Sequence, residues 1–79
     1  MRKKTKQLVI TFSTTTAAMA MEKRAQQMRI FGRLIPLPSE ISAGCGLSWK
    51  TKPEEKEKML VFLEEEKLKW EAMYELELY

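Results

Sequence analysis

Ala72-Met73-Tyr74-Glu75-Leu76-Glu77-Leu78-Tyr79 is the stretch whose period decides the fold. Ala72, Tyr74, Leu76 and Leu78 alternate with Met73, Glu75, Glu77 and Tyr79. A period of two sends successive side chains to opposite faces of a strand. Glu and Leu also suit a helix, which would make these residues a continuation of the helix before them. We read the stretch as a strand.

Working back from it, Pro53 suits the first position of a helix, and Glu54 and Glu55 suit its first turn, where acids oppose the helix dipole. Met59, Leu60, Phe62 and Leu63 supply an apolar face, and Lys67 and Lys69 fit the C-terminal end. Gly46 to Thr51 reads as a short strand, and Ser39 to Gly44 as a loop. Ile30 to Leu37 reads as another strand. Pro36 and Pro38 have no N–H to donate, so this strand lies at a sheet edge or ends there. Gln7 to Phe12 is apolar and β-branched, as in a buried strand. Any of Ser13 to Thr16 can cap a helix. Behind them Ala18, Met21, Ala25 and Met28 recur at helical spacing, with Glu22, Lys23, Gln26 and Gln27 on the other side, which predicts a helix over Thr15–Met28. The order is β-α-β-β-α-β. It predicts an α+β, ferredoxin-like fold: a four-stranded antiparallel sheet with two helices on one face. Right-handed crossovers give the strand order 4-1-3-2. Residues 1–79 form one small domain, with 1–6 as a basic N-terminal tail.

So short a chain builds a thin core, and its stability is marginal unless something else helps. Its single cysteine has no partner for a disulfide within the chain. With no histidine and one thiol, no metal site is expected, and no cofactor signature appears. Fourteen Lys+Arg against eleven Asp+Glu give a net charge of +3, a smaller excess than nucleic-acid binders show. The start imitates a signal peptide, but the apolar run Leu8 to Phe12 is too short and Ser13-Thr14-Thr15-Thr16 follows it. No stretch approaches the ~20 apolar residues of a membrane span. We therefore expect a cytoplasmic protein, where a lone thiol stays reduced.

That thiol is Cys45, in Ile41-Ser42-Ala43-Gly44-Cys45-Gly46-Leu47. A structural cysteine usually has bulky apolar neighbours. Flanking glycines remove cover and free the backbone amides to approach whatever the sulfur carries. Without histidine the usual base for an activated Ser or Cys is missing, so the chain is not expected to be an enzyme.

The chain resembles the selenium/sulfur carrier-like family. The resemblance rests on Leu8-Val9-Ile10-Thr11-Phe12-Ser13-Thr14-Thr15, Ala18, Glu22-Lys23, Arg33-Leu34-Ile35-Pro36-Leu37-Pro38 and Glu40-Ile41-Ser42-Ala43-Gly44-Cys45-Gly46-Leu47. The segment Arg33 to Gly46 is the specific part, and Tyr74 fits the closing strand less specifically. The resemblance implies a thiol that carries sulfur or selenium, with donor and acceptor proteins as partners, and Cys45 alone can inherit that role. The chain departs from the pattern at Trp49-Lys50-Thr51-Lys52, which is bulkier and more basic. It also lacks the Cys-Pro pair of the better-known small sulfur-relay carriers.

The predicted topology gives the thiol a setting. The third strand runs antiparallel beside the first, so Cys45 meets the end of the first strand and the start of the helix behind it. There the helix N-terminus, the hydroxyls of Ser13, Thr14 and Thr15, and the amides of Gly44, Cys45 and Gly46 would favour a thiolate, persulfide or selenide. The bland alternative is that the glycines make a tight turn and Cys45 fills a gap. Two other function classes stay open. One is an interaction module, including a homodimer, which presents some of Trp49, Trp70 and Tyr79. The other, less favoured, is RNA binding through Phe12 and Trp49, for which the usual basic-aromatic motif is missing.

Overall fold

The computed structural model describes residues 3–41 and 45–78. Its elements run β1 (Thr5–Thr11), α1 (Thr15–Met28), β2 (Arg33–Pro36), β3 (Leu47–Thr51), a 3₁₀ turn (Pro53–Glu55), α2 (Lys56–Glu65) and β4 (Ala72–Leu78). The alternating stretch is a strand. β4 pairs antiparallel with β1 along its whole length, from Thr5 opposite Leu78 to Thr11 opposite Ala72. β3 flanks β1 on its other side, and β2 pairs with β3, both antiparallel. The order β2-β3-β1-β4 is 4-1-3-2 read from the other edge. The fold is α+β and ferredoxin-like, with Pro36 ending the edge strand β2 and Pro38 lying beyond it.

One row shows how the sheet meets the helices. Leu34, Trp49, Ile10 and Met73 stand opposite one another across all four strands. All four join one cluster with Leu8 and Phe12 of β1, Ala18, Met21 and Ala25 of α1, and Met59, Phe62 and Leu63 of α2. Both helices thus cover the same face. Met28 and Leu60, expected on the apolar stripes, are exposed instead. Met28 is the last residue of α1, and Leu60 lies beside the buried row Met59, Phe62 and Leu63 and not on it.

The reverse face is not bare. Val9, Thr11 and Ser48 are fully buried on it. The β2–β3 connection turns back over this side: Pro38 and Glu40 share a groove with Arg33, Ile35, Lys50 and Leu78. Ile41 is buried, yet it stands outside the helix-side cluster.

Element ends differ from the sequence reading in instructive ways. β1 begins at Thr5, so Thr5 and Lys6 leave the expected 1–6 tail. β4 supplies their partners, with Lys6 facing Glu77, a favourable cross-strand charge pair. β2 starts at Arg33 and not at Ile30, because the end of α1 uses the intervening residues. Arg29 takes a left-handed conformation at φ 54°, and Ile30 N–H donates to Ala25 O at 2.8 Å. α2 closes the same way: Lys67 has φ 53°, and Leu68 N–H donates to Leu63 O at 2.9 Å. These are Schellman closures, and in both the residue after the left-handed one packs on the core. Lys67 and Lys69 therefore lie beyond α2 and not in its last turn.

Candidate functional site

Cys45 stands at the base of the long β2–β3 connection. Pro36 opposite Leu47 is the last registered pair, and Leu37 N–H donates to Gly46 O at 2.9 Å, tying the chain beside the thiol. Cys45 is half-buried and packs on the rim of the helix-side cluster, as do Ala17 and Leu47. Its Sγ lies 3.6 Å from Leu47 O, a weak S–H···O contact. Gly46 has φ 76°, a left-handed conformation that glycine adopts without penalty. A Cβ built there would meet nothing within 4 Å, so the space beside Gly46 is open.

Register relates the thiol to α1. Thr11 faces Ser48 across β1 and β3, so β1 ends where β3 begins. Cys45 precedes Ser48 by three residues, and Thr14 follows Thr11 by three. Both therefore belong to the same end of the sheet. Thr14 is the cap among the four candidates: its backbone is extended (φ −135°, ψ 153°), and its Oγ1 accepts from Ala17 N–H at 3.1 Å. Its main-chain oxygen also accepts from Ala18 N–H. Thr15 is the first helical residue and is exposed.

Ser13 has a different attachment. Its hydroxyl lies 3.4 Å from Glu71 Oε2 and donates to it. Glu71 belongs to the β4 flank, since its N–H donates to Thr11 O at 2.7 Å. β3 and β4 lie on opposite sides of β1, so this hydroxyl is engaged away from the strand that carries Cys45. Glu71 also brings a carboxylate to the start of α1. A pattern in one sequence gave no signal for this contact, which spans 58 positions. On the same flank Ser13, Thr14, Ala17, Leu68, Lys69 and Trp70 line a groove of about 400 Å³, and Cys45 is not part of its wall. Gly44 lies outside the described residues.

Register thus leaves Cys45, Gly46 and the Thr14–Thr15 helix start at the same end of the sheet, while the hydroxyls of Ser13 and Thr14 are already bonded elsewhere. Among the described residues no group of three His, Cys, Asp or Glu side chains could hold a metal ion. No helix there is long and apolar enough to cross a membrane. Phe12 and Trp49 face the helices and are only 0 % and 2 % exposed, so neither can stack on a base. Of the other aromatics considered for presentation, Trp70 is exposed, and Tyr79 lies outside the described residues.

No curated protein and no solved structure shows significant similarity to the chain. Residues 7–75 match the family described as "Putative Se/S carrier protein-like". The match takes in α1, β2, β3 and α2 entire, most of β1 and part of β4, together with Cys45. By the extent of that match, the chain belongs to the Se/S carrier-like family.

Proposed function

We propose that the protein is a stoichiometric carrier, not an enzyme, and that Cys45 holds the cargo as a persulfide or its selenium counterpart. The observation that carries this reading is the coincidence of family membership with a lone, half-exposed thiol whose glycine neighbour leaves open space. In the sulfur case the Cys45 thiolate attacks the outer sulfur of a donor persulfide, R–S–SH. The donor's S–S bond breaks as the new one forms, and R–S⁻ leaves with the electron pair. Atoms and charge balance, with no external oxidant. Passing the atom to an acceptor thiolate reverses the step. The start of α1 lies at the same sheet end and Gly46 follows the thiol; an exposed dipole that reached the anion would contribute about 0.3–1 kcal/mol, against the Glu71 carboxylate at that helix start. A reducing compartment such as the cytoplasm would keep the thiol ready for this chemistry. Donor and acceptor proteins are its partners.

The test is intact mass after incubation with a cysteine desulfurase and either cysteine or selenocysteine, so that the donor delivers the chalcogen as a persulfide or its selenium counterpart. We expect a gain of one chalcogen atom on the native protein, reversed by reductant and absent in Cys45→Ser. A second reading has its own observation: the packing of Cys45 on the core and its contact with Leu47 O fit a small buried residue in an interaction module. No chalcogen uptake, no alkylation of Cys45 until the protein unfolds, and a mass that rises with concentration would establish that reading instead.

A further inference from the structure

At the sheet end opposite Cys45 a cleft of about 630 Å³ opens between the α1–β2 connection and the end of β3. Its wall contains Arg29, Arg33, Lys50 and Lys52, and no acidic side chain. Ile30, Phe31, Gly32, Gln7 and Thr51 complete it. We propose that this cleft binds a nucleoside polyphosphate, a ligand with several negative charges and a flat ring.

Charge is the first argument. Arg33 and Lys50 stand directly opposite each other on β2 and β3, which sets two cations at one corner, with Glu40 in the groove on their other side. Arg29 and Lys52 extend this pair along the wall. Arginine forks match phosphate oxygens in pairs, and lysine adds point charge.

The second argument is the aromatic. Phe31 is 54 % exposed and is the aromatic side chain of the cleft wall. The Lys52 ammonium lies 4.9 Å from its ring centroid. Ring and cation are thus presented together, as a charged ligand with a base would require.

Size selects the ligand. The volume falls in the range of small-molecule sites, roughly 300–1,000 Å³. A single strand of nucleic acid needs a groove that tracks several nucleotides and aromatics for successive bases. Here one aromatic serves one cleft, and the exposed ring on the reverse face, Tyr74, stands opposite Val9 on β4, two strands away from β3.

This inference does not depend on the role of Cys45, and a Cys45→Ser chain should bind equally well. The test is an amide chemical-shift titration of isotope-labelled protein with ATP, tripolyphosphate, adenosine and a single-stranded oligonucleotide, at low salt. We expect ATP to shift residues 29–33 and 50–52 saturably and more strongly than tripolyphosphate or adenosine. Arg33→Glu with Lys52→Glu, both at exposed positions, should weaken ATP about tenfold or more. Phe31→Ala should weaken ATP several-fold and leave tripolyphosphate unchanged. Absence of saturable shifts would overturn the proposal. So would shifts spread equally over Lys23 and Lys56, or equal affinity for ATP and tripolyphosphate. Tighter oligonucleotide binding, with shifts running across the sheet, would replace it with RNA recognition.

Discussion

Gly32 and Gly46 both have positive φ, at 130° and 76°, but their surroundings differ. A Cβ at Gly32 would lie 2.4 Å from Trp49 Nε1 and 2.6 Å from Lys50 O. Gly32→Ala should therefore cost about 2–4 kcal/mol in urea unfolding, from backbone strain and overpacking together. Gly46→Ala meets no neighbour and should cost only the left-handed penalty, about 1–2 kcal/mol. Equal losses at the two sites would show that the Trp49 contact is not what demands glycine at position 32. The sequence made Gly46 conspicuous by placing it next to the sole cysteine. It could not do the same for Gly32, because the constraint there is an indole from a strand 17 positions away.

At the scale of elements, periodicity was legible, and so was the end of α1 at Met28, but the way the helices close was not. The four apolar positions of α1 and the alternation in β4 announce their elements because one period runs through many residues. Ser13 to Thr16 left the cap open, since each can accept the same bond. The structure selects Thr14, so Thr14→Ala should lower stability by about 1 kcal/mol in a thermal or urea melt, with Thr15→Ala close to neutral. The end of α1 was read correctly at Met28, whereas α2 was carried too far, to Lys67 and Lys69, because neither helix closes on glycine. Arg29 and Lys67 enter the left-handed region under the pull of Ile30 and Leu68, which pack on the core. Lys67 is exposed and its conformation suits glycine better. Lys67→Gly should stabilise the protein by up to about 1 kcal/mol by the same melts. A loss would mean that its side chain makes a contribution we have not identified. Ser13 shows a further limit: its engagement by Glu71 joins the first helix start to the last strand, and no local pattern encodes it.

The whole molecule has two layers and, in addition, a flap of chain on the face away from the helices. Ile41 is buried there, at the end of a segment whose base is tied by Leu37 and Gly46. Ile41→Ala should cost about 2 kcal/mol. It should also speed alkylation of Cys45, because the same connection leads to the thiol. An unchanged rate would mean that the connection does not govern access. The fold was readable from the order of elements. The thiol end was readable from topology, once β1 and β3 were neighbours. The basic cleft was not, because its cations come from four separated positions that only the β2–β3 register and the α1 closure bring together. Trp49-Lys50-Thr51-Lys52 was visible as an anomaly without a place. β3 itself has one more effect. It holds its two ends, Leu47 beside the thiol and Thr51 in the cleft wall, roughly 13 Å apart, at about 3.3 Å per residue. That exceeds the Debye length of about 8 Å at physiological ionic strength. Counter-ions would therefore hide a charge at either end from the other, and filling the cleft with ATP should leave the alkylation rate of Cys45 unaltered.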